Sequence, residues 1–76
     1  MGYYTFIVIK GFLEEQDIVL VTEDLDKAIN KYIEIKIGEI QVWNSEKFVC
    51  DFGSYQVDTS LKLDEIKDVL IKRMTL

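Results

Sequence analysis

The residue types that most often carry catalysis are scarce in this chain of 76 residues. It contains no histidine, so neither a Ser–His nor a Cys–His nucleophile pair can form. Cys50 is the only thiol and follows Phe48 and Val49, where a free cysteine behaves as a small apolar residue. Carboxylates at helical spacing, such as Asp64 and Asp68, are typical of a solvated helix face. We therefore expect no catalytic residues and no enzymatic activity.

Metal and cofactor sites lack their usual residues as well. Histidine is the commonest ligand for zinc, copper and nickel, and one cysteine cannot replace it. The glycines are scattered and form neither a GxGxxG nor a GxxxxGK phosphate-binding pattern. We expect no cofactor and no metal. A single cysteine and an N-terminus without an export signal predict a cytoplasmic protein without an internal disulfide.

Composition and charge restrict the class of partner. Hydrophobic residues make up 49% of the chain and charged residues 30%, which predicts one folded domain over residues 1–76 rather than disorder. The net charge of −5 disfavours direct binding to nucleic acid or to anionic membranes, because both depend on Lys and Arg. No apolar run approaches the length of about 20 residues that spans a bilayer.

Hydrophobic periodicity divides the chain into short strands and two amphipathic helices. Strands are predicted over 3–9, 18–21, 39–43 and 47–52, with a short fifth strand over 55–58. Helices are predicted over 22–34 and 61–74. Thr22 or Asp24 is placed to cap the first helix and Gly38 to end it. The order β-β-α-β-β-(β)-α indicates an α+β domain with a small antiparallel sheet of four to five strands.

The first two strands are apolar on both sides. Phe6 and Val8 point one way from the first strand, and Ile7 and Ile9 point the other way. Such strands are usually buried on both faces. In one interpretation the two helices cover opposite faces of the sheet. In the other they share one face, and a second copy or a different protein covers the other, which predicts a dimer or an obligate complex.

Acidic residues are concentrated between the first strand and the first helix. The segment between Lys10 and Lys27 contains six acids and no basic residue: Glu14, Glu15, Asp17, Glu23, Asp24 and Asp26. Loop solvation and helix capping explain some of them. The functional alternative is an acidic patch, concentrated at one end of the molecule, that docks on a basic protein surface.

Trp43 is the aromatic residue most suited to anchor a partner, because it lies beside a predicted turn and opposite Phe48. The alternative is that Trp43 covers the edge of the core.

The first 34 residues, through Tyr4–Ile9 and Thr22–Ile29, resemble the hairpin-then-helix start of HicB-type antitoxins. The proline- and glycine-bearing stretch of that family is missing, so the chain is not assigned to it. As a class, a small acidic chain without histidine also resembles the accessory inhibitors that phages and mobile elements encode against host enzymes.

These features favour a binding function. The first hypothesis is an inhibitor or regulator that docks a basic surface of a partner protein, with the six acids and Trp43 as contact residues. The second is a homo-oligomer that binds or sequesters a small ligand in a pocket between subunits. The third is a structural subunit of a larger complex.

Overall fold

The computed structural model describes residues 4–11, 14–54 and 62–75. Its elements follow in the order β1 (Tyr4–Lys10), β2 (Asp17–Thr22), α1 (Leu25–Ile35), β3 (Gly38–Asn44), β4 (Lys47–Ser54) and α2 (Leu63–Met74). The predicted α+β fold with an antiparallel sheet and two helices is confirmed. The predicted fifth strand over 55–58 lies outside the described residues.

The four strands form one antiparallel sheet in the order β2-β1-β3-β4. The pairs β1–β2 and β3–β4 are hairpins, and α1 connects β2 to β3 so that β1 and β3 become central neighbours. The register between β1 and β2 shifts between Val8 and Ile9, and the register between β3 and β4 shifts between Val42 and Trp43. These shifts leave Val19 in β2 and Val49 in β4 without a directly opposite residue, as in a β-bulge.

Local hydrogen bonds explain where α1 begins. Asp24 is its N-cap, and the Asp24 carboxylate accepts a hydrogen bond of 3.2 Å from the backbone N–H of Lys27. The Thr22 hydroxyl oxygen accepts a second bond, of 3.0 Å, from the backbone N–H of Asp24. Both residues therefore stabilise the helix start, since each satisfies a backbone donor in the turn that leads into the helix.

The end of α1 differs from the prediction. The helix ends at Ile35, and Lys36, not Gly38, adopts the left-handed conformation, with φ of 66°. Gly38 is instead the first residue of β3, with φ of 155°. Its Cα lies so close to β1 that an added Cβ would be 2.0 Å from the carbonyl oxygen of Ile9. Glycine is required there by the close approach of two strands rather than by helix termination.

The core lies between the sheet and the helices. Alternate residues of the two central strands meet the inward stripes of α1 and α2. The buried set consists of Phe6, Val8, Ala28, Ile29, Tyr32, Ile40, Val42, Ile66 and Leu70. None of the described residues that are buried is polar or charged. Neither helix of the described part of the chain is long and apolar enough to cross a membrane.

We expect the substitution Gly38→Ala to lower the free energy of unfolding by about 2–4 kcal/mol, because the new Cβ would collide with the Ile9 carbonyl and force β1 and β3 apart. Denaturant titration followed by circular dichroism measures the change. The exposed α1 substitution Asn30→Ala is the control and should shift stability by no more than about 0.5 kcal/mol. Unchanged stability of Gly38→Ala would contradict the close approach.

Candidate functional site

Both helices pack on the same face of the sheet. α1 contacts β1, β2, β3 and α2, and α2 in turn contacts β4. The inward residues of the central strands, including Phe6, Val8 and Val42, meet both helices in one core. The interpretation that the helices cover opposite faces is therefore wrong, and a shared face is what the structure has. The physical reason is that α1 and α2 also contact each other, so that Ile29 and Ile66 belong to one common core.

The other side of the sheet, which we call the open face, has no described helix over it. Strand pairing arranges its residues in three rows that run across the sheet. The first row is Thr5, Trp43 and Phe48; the second is Val21, Ile7, Gln41 and Asp51; the third is Ile18, Ile9, Glu39 and Gly53. In the second and third rows, aliphatic residues thus lie on β1 and β2, and Gln41, Glu39 and Asp51 lie on β3 and β4.

The aliphatic half of the open face is exposed to solvent at its outer strand. Ile18 is 65% exposed and Val21 is 58% exposed, next to the half-buried Ile9 and Ile7 of β1. These four side chains are contiguous, because Ile18 lies directly opposite Ile9 and Val21 directly opposite Ile7. A contiguous apolar patch of this kind is typical of an interaction site.

The acidic half adjoins it on the central strand. Glu39 lies beside Ile9 and Gln41 beside Ile7, while Asp51 of β4 lies beside Gln41. No lysine or arginine occupies a described open-face strand position in the three rows. The open face is therefore negative on β3 and β4 and uncharged on β1 and β2.

Trp43 and Phe48 form an aromatic corner at one end of the open face. Their rings meet edge to face with centroids 5.5 Å apart, which confirms the predicted cross-strand pair. The indole N–H of Trp43 donates a hydrogen bond of 3.2 Å to the side-chain oxygen of Gln41. Trp43 is half-buried and Phe48 is 50% exposed. The pair presents a rigid apolar surface whose polar atom already has a partner.

The six acids of the segment between Lys10 and Lys27 do not form one patch. Glu14, Glu15 and Asp17 lie where β2 begins, and Glu23, Asp24 and Asp26 lie beyond its end. The six extended residues of β2 separate the two groups by about 17 Å. The expectation that this charge is concentrated at one end of the molecule is therefore wrong.

Two of these acids have structural partners. Asp24 is the N-cap of α1. Asp26 lies 2.9 Å from the ammonium group of Lys67, which joins α1 to α2, and this hydrogen bond raises the pKa of Lys67. Glu14, Glu15, Asp17 and Glu23 are exposed, and no ion pair links them to another described residue. These four remain able to contact a partner.

A half-open hollow of about 290 Å³ lies at the β2 start, between Lys10, Glu15, Asp17 and the side chains of Ile35 and Ile37. Its charged groups are one lysine and two carboxylates, which partly neutralise one another. Within the described ranges, no three acidic or cysteine side chains are grouped closely enough to hold a metal ion.

Cys50 is half-buried on the helix side of β4, opposite Val42. Burial raises the pKa of the Cys50 thiol, and nearby Asp51 adds to that increase, while Arg73 acts in the opposite direction. The thiol is therefore protonated at neutral pH, and a protonated thiol is a poor nucleophile.

Sequence reasoning identified strands with two apolar sides but not which side stays uncovered. Ile18, Val21, Glu39 and Asp51 were therefore missed as surface residues of one site. Alternation in β3 is the signal for Glu39, whereas the bulge at Val19 places Ile18 and Val21 on the same side of β2. Only the pairing of β1 with β3 brings these residues together.

We expect iodoacetamide to alkylate Cys50 several-fold more slowly in the native chain than in the chain unfolded by urea. Because the native pKa is raised, the native rate should also increase at a higher pH than the unfolded rate does. Mass spectrometry of timed samples over a pH series measures both rates. A native rate equal to or above the unfolded rate would contradict an inert thiol.

Compared with protein-family models, with curated proteins and with solved structures, the chain matches none. The resemblance of residues 1–34 to HicB-type antitoxins therefore carries no further weight. Function has to be inferred from the fold and the open face.

Proposed function

We propose that this chain is a non-catalytic binding protein that docks the open face of its sheet on a basic surface of a partner protein, where it acts as an inhibitor or regulator. The observation that carries the proposal is the exposure of Ile18 and Val21 on the same face as the carboxylates of Glu39 and Asp51. Apolar side chains held together in water favour association. Carboxylates beside them favour a partner that supplies cations.

A homo-oligomer is the competing proposal, since a second copy would also cover Ile18 and Val21. In a face-to-face dimer, however, Glu39 and Asp51 would meet either the same carboxylates or the aliphatic half of the other copy. The first arrangement brings like charges together, and the second buries carboxylates without a cation, so both are costly. The charge pattern favours an unlike, basic partner. A ligand pocket between subunits depends on the same dimer and is disfavoured with it.

The exposed acids at the two ends of β2 support the same type of partner. Glu14, Glu15, Asp17 and Glu23 extend the negative potential beyond the open face without burying any charge. Peripheral charges of this kind accelerate the encounter with a basic surface more than they stabilise the complex. A cytoplasmic inhibitor of an enzyme that normally holds nucleic acid fits this pattern, as does a structural subunit of a larger complex that uses the same surface.

We expect the double substitution Ile18→Lys with Val21→Lys to abolish binding of the partner that the unmodified chain captures from its native host. The two cations would replace the exposed aliphatic half and repel a basic surface. Affinity capture followed by quantitative mass spectrometry measures the loss. Ile71→Lys is the matched control, because Ile71 is an exposed aliphatic residue of α2 on the opposite side of the sheet.

The proposal requires the captured protein to have a basic surface, to be retained by Ile71→Lys and to be lost by the double variant. Equal retention by both variants would place the partner elsewhere on the molecule. Light scattering of the isolated chain tests the competing proposal, because a stable dimer that the double variant dissociates would replace the unlike partner with a second copy.

The dissociation constant of the complex should rise by about tenfold or more when salt is increased from roughly 50 to 300 mM, because screening weakens exposed charge pairs. Calorimetry at several ionic strengths measures this dependence. Neutralising Glu14, Glu15 and Glu23 to Gln should lower the association rate and flatten the salt dependence, with Asp68→Asn on α2 as the control. An affinity that does not change with salt would refute electrostatic docking.

A further inference from the structure

The boundary between the two halves of the open face runs along the strands. Ile7 and Ile9 lie on β1, and their neighbours Gln41 and Glu39 lie on β3. In the second and third rows, every residue on the β2 side of this boundary is aliphatic, and the two carboxylates, Glu39 and Asp51, lie on the other side. A partner segment that contacts both halves must therefore have an apolar side and a polar side, and each side must keep its character along the whole length of the segment.

A strand added to the edge of the sheet does not meet this requirement. At β4, Arg73 donates a hydrogen bond of 2.6 Å to the Asp51 carbonyl and its guanidinium lies 5.5 Å from the centre of the Phe52 ring, so α2 already covers this strand in part. At β2, the bulge at Val19 interrupts the ladder. A strand added to β2 would also lie about 19 Å from β4, since neighbouring strands are about 4.8 Å apart, and would not reach Asp51.

We propose that the occupant of the open face is a basic amphipathic helix of the partner, which lies along β1 as a third layer of the fold. This inference rests on the proposed function and specifies the recognised segment. The helix would place an apolar stripe on Ile7, Ile9, Ile18 and Val21, and a flank of Lys or Arg over Glu39 and Asp51.

The dimensions of a helix agree with those of the open face. Side chains at i and i+4 of a helix are about 6 Å apart along its axis. Ile7 and Ile9, two residues apart on one strand, are separated by about 6.7 Å along β1. The strand carrying Asp51 lies about 10 Å from β1, which is close to the diameter of a helix of 10–12 Å. Cations on one flank of a helix above β1 thus reach the acidic half.

Charge complementarity selects this occupant over a second copy. Neither described helix of the chain has a basic flank beside an apolar stripe that is free, because the stripes of α1 and α2 are buried in the core. Self-association through the open face would leave Glu39 and Asp51 without cations, whereas a basic helix supplies them.

The test uses the full chain and synthetic peptides of about 18 residues. The first peptide places leucines at i, i+3, i+4 and i+7 and arginines on one flank. The second has the same composition arranged with a period of two, as in a strand, and the third has glutamine in place of arginine. Amide chemical shifts of the labelled chain locate the contact, and circular dichroism measures the helix that the peptide gains on binding.

The first peptide is expected to bind at least tenfold more tightly than the second and the third, with shifts confined to the open-face residues and an increase in helix content. The double substitution Glu39→Lys with Asp51→Lys should weaken binding of the first peptide at least tenfold. Asp68→Lys, the control on α2, should weaken that binding less than threefold. A fourth peptide with glutamates on the flank should bind the Glu39→Lys, Asp51→Lys chain in preference to the unmodified chain, which separates a charge match from a loss of folding.

Tighter binding of the strand-period peptide, shifts outside the open face, or no binding at millimolar concentration would overturn the helix proposal. If the peptides fail while capture of a basic partner still depends on Ile18 and Val21, the proposed function stands and only the helical occupant is refuted. If that capture also fails, both are refuted.

Discussion

The two helices bury their apolar stripes in one shared core, and the remaining features of the molecule follow from this packing. The side chains of α1 and α2 that face inward pack on the inward residues of β1 and β3, and the helices contact each other above the sheet. Burying aliphatic and aromatic side chains is the main favourable contribution to folding in a domain without a disulfide. Because both described helices lie on one side of the sheet, neither covers its second side, and the open face is a consequence of how the core forms.

Strand register then determines what the open face contains. Because side chains alternate along a strand, the parity that directs Phe6 and Val8 into the core directs Ile7 and Ile9 outward. Pairing with β3 places Gln41 and Glu39 beside them. The register shift between β1 and β2 also determines the composition of the open face, because it puts Ile18 rather than Val19 on the outward side, next to Ile9. A pattern of aliphatic residues on one half and carboxylates on the other is the result.

The proposed binding role draws on the environment of Cys50 and on the distribution of the acids. The half-buried Cys50 thiol is protonated, and the six acids of residues 14–26 are divided between helix capping, an ion pair and the two solvated ends of β2. In the proposed function, the partner would recognise both the shape and the negative charge of the open face, and complementarity in shape and in charge gives specificity.

Short-range patterns in the sequence were sufficient for the order β-β-α-β-β-α, for restricting the helix cap to Thr22 or Asp24, and for the Trp43–Phe48 pair, because turns, caps and hairpin neighbours depend on residues only a few positions apart. They also revealed that β1 is apolar on both sides. Tertiary structure decided which of those sides the helices cover, and it reassigned Gly38 from a helix end to a close contact with Ile9. It also separated the acids of residues 14–26 and brought Ile18 and Glu39 onto one face. These outcomes depend on the pairing of β1 with β3 across the length of α1, and residues so far apart in the chain have no local pattern that fixes their register.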